Sequence, residues 1–309
     1  MEIQFVTLDV FTSVRLQGNP LAVVLVPAEL KHSLTQAMKQ KIAQEFNLSE
    51  TVFLHEAADP EDEERHIDIF TTETELPYAG HPTIGSAVLL KYHMHPHVKT
   101  LITKAGPIAI VPQPGNGIRA KIPHNVHLHR GLLGDALGGE TLDHPGLSSE
   151  AEIRLQELVA PVFSVVKGMT FILVRLMSLE ILGQVSASYR LDFNALQQPL
   201  LDEGWRDSFV ARYYYVDLGE EAGERIFRTR MVELGSEDPA TGSAATALAA
   251  FVQSENPHPM KFKITQGVEI GRTSHISVET TLKPEGGLGE IWLGGTAVVV
   301  MKGTLNIDV

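Results

Sequence analysis

Apolar positions along the chain alternate in short runs and, in a few places, recur at helical spacing. Residues 2–10 and 21–26 (LAVVLV) read as strands joined through Gly18-Asn19-Pro20, a turn signal. Ser33 then opens a helix with Leu34, Met38, Ile42 and Phe46 four apart on one face, and Asn47 suits a left-handed close. A short apolar strand follows at 51–54. The acidic stretch 57–65 (AADPEDEER) reads as a solvated loop, and 66–72 (HIDIFTT) alternates as a strand. Pro82 opens a second helix that runs to about Tyr92, since proline suits the first helical position. Residues 100–122 hold two or three strands. Residues 123–148, rich in His, Gly and Leu without periodicity, read as a linker or excursion. Ser149-x-x-Glu152 is a capping box for a helix ending at Pro161. Strands are expected near 162–167, 170–176, 209–217 and 224–230. A helix of small residues is expected from Pro239, then a strand-rich end over 260–309.

The pattern contains an internal repeat. His81-Pro82-Thr83-Ile84-Gly85-Ser86-Ala87 recurs as Asp238-Pro239-Ala240-Thr241-Gly242-Ser243-Ala244. The same spacing, 238 minus 81, relates Ile69-Phe70-Thr71-Thr72 to Ile226-Phe227-Arg228-Thr229. Two matches at one offset point to a duplication, each half carrying strands and a helix opened by a polar residue and proline. A helix start presents unpaired N–H groups and positive dipole charge, and small residues let a ligand approach it. Two such starts facing one cleft would make an anion site suited to a small carboxylate. Ordinary capping by Asp238 and packing by Gly-Ser-Ala is the plainer alternative.

Composition narrows the chemistry. The chain has 309 residues, enough for two domains, with 43% hydrophobic and 20% charged residues. No apolar run reaches the length of a membrane span, and the N-terminal residues lack the pattern of a secretory signal. A cytoplasmic location is therefore expected. A net charge of −13 argues against a nucleic-acid binder. The chain has no cysteine, which excludes thiol nucleophiles, two-thiol racemases, iron–sulfur clusters and Cys-ligated zinc. No Gly-x-Gly-x-x-Gly or Walker-type loop supports a nucleotide cofactor. Histidines cluster at His93, His95, His97 and at His124, His127, His129. Alternating histidines on a strand can bind zinc or nickel, but no carboxylate pattern accompanies them in sequence. They read as surface side chains, so no metal site is assigned.

Several stretches carry a resemblance: Gly18-Asn19-Pro20, Asn47-Leu48-Ser49-Glu50-Thr51-Val52-Phe53, Glu75-Leu76-Pro77-Tyr78-Ala79-Gly80-His81-Pro82-Thr83, Glu237-Asp238-Pro239-Ala240-Thr241-Gly242-Ser243-Ala244, Gln266-Gly267 and Ile291-Trp292-Leu293-Gly294-Gly295. In this order they resemble the PhzF (phenazine biosynthesis) family. The resemblance implies an α+β fold of the diaminopimelate-epimerase kind: two pseudo-symmetric lobes, each a curved, mostly antiparallel sheet around a central helix. The lobes would span 1–123 and 124–309, the closing strand being free to return to the first, with a cleft between them. It implies acid/base catalysis by Glu50, with His81 and Asp238 bonding the substrate. It places Asn19, Ser49, Gly80, Gly242, Ser243 and Gln266 among the substrate-binding residues. It also implies a homodimer and a reaction without a cofactor. Arg272-Thr273-Ser274 departs from the commoner Gly-Arg-Pro-Ser pattern of the family.

The residues themselves leave alternatives open. Glu50, beside Val52 and Phe53, would lose hydration and gain a raised pKa, or else lie exposed at a strand edge. His81 suits a proton carrier, a neutral hydrogen-bonding group or a helix cap, and orientation of substrate ranks above proton transfer. A Ser243–His81–Asp238 hydrolase triad lacks the Gly-x-Ser-x-Gly elbow. The expected function is a cofactor-independent isomerase that moves a proton on a small carboxylate-bearing substrate. The alternatives are an amino-acid epimerase or racemase without cysteine, and a small-molecule binder that has lost turnover.

Overall fold

A computed structural model of the chain describes residues 2–30, 33–138, 144–232 and 236–307. These fall into two units, Met1–Pro123 with Trp292–Val309, and His124–Ile291. No helix among the described residues is long and apolar enough to cross a membrane.

In the first unit β1 (Glu2–Val10) pairs antiparallel with β2 (Asn19–Val26), with Val10 opposite Asn19. The return requires Gly18, whose φ is +67° and whose missing Cβ would lie 2.3 Å from the Val10 carbonyl oxygen. Helix α1 (Gln36–Phe46) carries the chain to β3 (Thr51–His55), parallel to β2. Strand β4 (Glu64–Phe70) is antiparallel to β3, and the short β5 (Glu75–Leu76) pairs with its end. Helix α2 (Gly80–Leu89) then crosses to β6 (Thr100–Thr103), parallel to β4, and β7 (Gly106–Gln113) and β8 (Gly117–Lys121) follow as an antiparallel meander. Two strands from the end of the chain complete this unit. In chain order they are β16 (Leu288–Gly295), paired with β8 from Trp292 on, and β17 (Ala297–Asn306), antiparallel to β1.

All ten residues of α2 are buried, which fits its apolar and small side chains on every face. The helix packs against β1, β2, β3, β8 and β17. The approach is close at Gly85, where a Cβ would lie 2.5 Å from Leu21 and 2.8 Å from Val10 side-chain atoms.

The second unit repeats this order of pairings. Strand β9 (His127–Leu128) pairs with β10 (Val162–Val166), which is antiparallel to β11 (Met169–Arg175). Strand β12 (Phe209–Glu221) is parallel to β11, and β13 (Glu224–Met231) is antiparallel to β12. Helix α6 (Gly242–Ser254) leads to β14 (Lys261–Gln266), parallel to β13, and β15 (Ser274–Leu282) is antiparallel to β14. From β1 through β7 and from β10 through β15, leaving out the two-residue β5, the sense runs antiparallel, parallel, antiparallel, parallel, antiparallel. The smaller helices α3 (Leu133–Ala136), α4 (Ala151–Val159) and α5 (Leu179–Gly183) supply Leu133, Ile153 and Leu182 to a core with Val162, Ile172, Val174 and Tyr214.

Four local expectations are corrected. Helix α1 starts later than Ser33, because the Thr35 hydroxyl accepts from the Met38 N–H; Asn47 does close it, at φ 50°. The Ser149 capping box does not form: its hydroxyl accepts from Tyr189, and α4 has no side-chain cap. Helix α6 begins at Gly242, not Pro239, since Asp238 is bridged to Met231 by its N–H. The stretch 123–148 is no linker where it is described. Leu133, Ala136, Leu137 and Leu147 are core residues, while 139–143 lie outside the described residues.

Candidate active site

Glu50 occupies the junction between the Asn47 turn and β3. Its position follows from local sequence. The left-handed Asn47 ends α1, and the apolar run from Thr51, all of it buried, inserts β3 into the sheet. The carboxyl group therefore sits at the rim of the core, its side chain 17% exposed. Burial pushes its pKa up to about 7, against the opposing effect of a hydrogen bond from the Ser49 side chain.

His81 lies in the first turn of α2 and is buried. The Asn19 amide nitrogen is 3.4 Å from its Nδ1. With that amide donating, Nδ1 is the acceptor and the imidazole proton sits on Nε2. Nε2 in turn lies 3.6 Å from Glu50 Oε2, close but beyond a formed hydrogen bond. Asn19, the first residue of β2, is itself 1% exposed. The start of α2 has Ala79 at its cap position and no side-chain cap, so Gly80 opens the helix with bare backbone. The first unit thus brings together Asn19, Ser49, Glu50, Gly80 and His81.

The second unit brings together Asp238, Gly242, Ser243 and Gln266 around the start of α6, which also lacks a side-chain cap. Asp238 Oδ2 accepts from the Thr241 hydroxyl at 2.6 Å. Gln266 is fully buried and knits this start together. Its Oε1 accepts from the Thr241 N–H at 3.2 Å and from Tyr213 OH at 3.0 Å. Its Nε2 donates to the Asp238 carbonyl at 2.8 Å and to Thr241 Oγ1 at 3.0 Å. Both amide hydrogens are consumed within the unit, so Gln266 holds the helix start in place instead of offering a donor to a ligand. Thr241 and Tyr213, which sequence reasoning missed, are part of this network. The repeat that aligns Thr241 with Ile84 concealed the first, since it marks the shared helix and not the departures from it. Gly242 and Ser243 are buried, and Asp238 is half-buried. Gly267 is obligatory here: at φ +75° a Cβ would lie 2.5 Å from the Arg272 carbonyl and 2.6 Å from that of Pro239.

Elsewhere the histidines differ from the expectation of surface side chains. His93 is exposed and His95 and His97 are half-buried, but His129 is 5% exposed and hydrogen-bonded on both ring nitrogens.

A family model described as phenazine biosynthesis-like protein matches residues 8–303. An uncharacterized isomerase of Mesorhizobium japonicum is 36% identical over 97% of each chain. A trans-2,3-dihydro-3-hydroxyanthranilate isomerase of Pseudomonas fluorescens is 31% identical, covering 97% of this chain and 98% of that one. Among solved structures, a PhzF-family phenazine biosynthesis protein of Bacillus anthracis aligns with a TM-score of 0.69 at 21% identity, over 99% of this chain and 100% of that one. A probable proline racemase from Agrobacterium radiobacter aligns at 0.59 with 14% identity, over 99% and 93%. The last two establish the fold: α+β, of the diaminopimelate-epimerase kind.

Proposed function

The chain belongs to the phenazine biosynthesis-like (PhzF) family, and from that membership we propose that it is an isomerase which moves a proton on a small carboxylate-bearing substrate without a cofactor. The observation that carries this reading is Glu50. A carboxyl group with a pKa of about 7 is half ionised near neutrality and can both take and return a proton. Its neighbours suit the task. The neutral His81, held by Asn19, turns an Nε2–H toward the same region and orients a substrate oxygen or nitrogen without competing for the proton. The uncapped start of α2 offers backbone N–H groups for the substrate carboxylate. In the second unit Asp238, Ser243 and the start of α6 are the groups suited to binding a substrate.

In the proposed cycle Glu50 begins as the carboxylate and abstracts a proton from carbon. The electron pair left behind is delocalised toward a group hydrogen-bonded by His81, and Glu50, now the acid, returns the proton to a different carbon. Substrate and product are isomers, so atoms and charge balance with no co-reactant. The relatives named as dihydro-hydroxyanthranilate isomerases make a cyclic hydroxylated amino acid the first substrate to test.

The test is incubation with trans-2,3-dihydro-3-hydroxyanthranilate, and with a panel of cyclic and acyclic amino and hydroxy acids, in deuterated water. Deuterium uptake at carbon is expected. Glu50→Gln should bind the same compound while exchange falls about 10²–10⁴-fold, the usual contribution of a principal acid/base group. Undiminished exchange in that variant rejects the role of Glu50, and binding without exchange by the parent favours a non-catalytic binder.

A further inference from the structure

We propose that His127, His129 and Asp202 of the second unit form a zinc-binding site, independent of the proton chemistry above. His127 and His129 lie two residues apart at β9, so their side chains leave the strand on one side. Asp202 arrives from a loop 73 residues further on, and one ligand atom from each of the three lies within 4.8 Å of the others. His127 Nε2 is 2.8 Å from Asp202 Oδ2, and His129 Nδ1 is 4.0 Å from the same oxygen. Two imidazole nitrogens and one carboxylate oxygen are a donor set that zinc takes at about 2.0–2.2 Å, with a fourth position left for water. Tetrahedral bonds of that length set ligand atoms about 3.3–3.5 Å apart, so a shift of roughly an ångström closes the set. The residues that must move are the accessible ones: the His127 and Asp202 side chains are 34% and 25% exposed, the His129 side chain 0%.

What separates this cluster from a chance meeting of polar groups is the proton order behind His129. The Ser208 hydroxyl donates to the Phe209 carbonyl at 3.0 Å. Its oxygen is then the acceptor for Thr170 Oγ1 at 2.8 Å, and Thr170 the acceptor for Ser164 Oγ at 2.5 Å. Ser164 is left to accept, and the group facing it at 2.8 Å is His129 Nε2. The hydroxyl relay therefore places the imidazole proton on Nε2 and the lone pair on Nδ1, the nitrogen that faces His127 and Asp202. A ligating histidine is held in this way, its second nitrogen donating to a fixed acceptor. Ser164 and Thr170 are both fully buried. The ring of His127 is fixed from the other side, stacked on Trp205 with centroids 4.7 Å apart and planes 10° from parallel. Without metal, the Nδ1 lone pair accepts from the Asp202 N–H at 3.1 Å. Metal binding exchanges that bond for coordination and draws the Asp202 carboxylate across to the same position. The bound ion would clamp the 202 loop to β9.

The test uses the full chain, stripped with a chelator and titrated with Zn²⁺ by calorimetry and with Co²⁺ by visible absorption. One Zn²⁺ per chain and the strong visible bands of four-coordinate Co²⁺ are expected. His127→Gln and Asp202→Asn, both at accessible positions, should each weaken Zn²⁺ binding by about 100-fold or more. Ser164→Ala, which removes the acceptor behind His129 and its link to Thr170 but touches no ligand, should weaken it ~10–100-fold. Circular dichroism of the stripped variants confirms that they fold. The proposal is overturned if the parent shows no four-coordinate Co²⁺ spectrum. It is equally overturned if His127→Gln and Asp202→Asn bind Zn²⁺ as tightly as the parent while His95→Gln loses it, which would place the ion at the other histidine cluster.

Discussion

Each unit contains a glutamate withdrawn from water, and the two are treated in opposite ways. In the second unit Glu157 and Arg212 are both fully buried and bonded at 2.9 Å. Glu157 also accepts from Tyr214 OH at 2.5 Å and from the Ser148 N–H at 3.0 Å. Arg212 carries the network on to the carbonyls of Gly146 and Tyr189. Three hydrogen bonds direct that carboxylate at scaffold. In the first unit Glu50 has Ser49 as its hydrogen-bonding side chain and a neutral imidazole at 3.6 Å, and no Lys or Arg among the described residues is bonded to it. One carboxylate is matched by its surroundings and serves architecture. The other is left partly unmatched, and its raised pKa is the consequence. A carboxyl group reaches a pKa near neutrality by what the fold withholds from it.

The largest expected effect probes the matched member. Glu157→Gln removes the carboxylate bonded to the buried Arg212 guanidinium and should cost about 3–5 kcal/mol, read by urea unfolding. A loss under about 1 kcal/mol would break the contrast. The unmatched member should behave in reverse. Since the folded pKa of Glu50 lies above its ordinary 4.5, the native state holds its proton more tightly than the unfolded chain. Stability is then lost as pH rises from about 4.5 through about 7. Glu50→Gln should be more stable than the parent at pH 8, by up to about 3 kcal/mol, and equal to it below pH 4. The parent's deuterium exchange should rise with pH and reach half its plateau near pH 7, because the proposed cycle begins from the carboxylate. An exchange profile flat from pH 5 to 9 would separate the rate from Glu50. The smallest effect concerns the start of α6. Gln266→Leu strands the Thr241 N–H in the core, while Tyr213 OH keeps Thr229, and should cost about 1–3 kcal/mol. It should also raise KM for a carboxylate substrate more than it lowers kcat, because the proposed acid/base group is Glu50. An unchanged KM would detach that helix start from binding.

The duplication was legible in sequence because it lies in what repeats locally, a buried helix of small residues after an Ile-Phe strand. The identical order of strand senses in the two units bears it out. What local periodicity missed was decided by partners far along the chain. Pro239 looks like a helix start, yet Gln266 reaches back 28 positions to the Asp238 carbonyl and keeps 238–241 out of the helix. Ser149 looks like a cap until Tyr189 takes its hydroxyl. His129 looks like a surface histidine because the hydroxyls that enclose it, Ser164 and Thr170, belong to β10 and β11. Nor does the motif around Glu50 report that no Lys or Arg among the described residues is bonded to its carboxyl group. That depends on which side chains the sheet brings alongside.

The pairing of β17 with β1, with Asn306 opposite Glu2, makes the second unit an insertion within the first. During synthesis the first unit's opening strands emerge well before the strand that completes them. Strand β1 can pair with β2 at once, but its other edge stays open until residues 297–306 have been made. The second unit, contiguous from His124 to Ile291, has all its strands earlier. Vectorial synthesis therefore lets the later-encoded unit fold first and leaves the earlier one with a bare edge on a strand carrying Ile3, Phe5, Val6, Leu8 and Val10, the kind of surface that recruits unwanted strands and that chaperones shield.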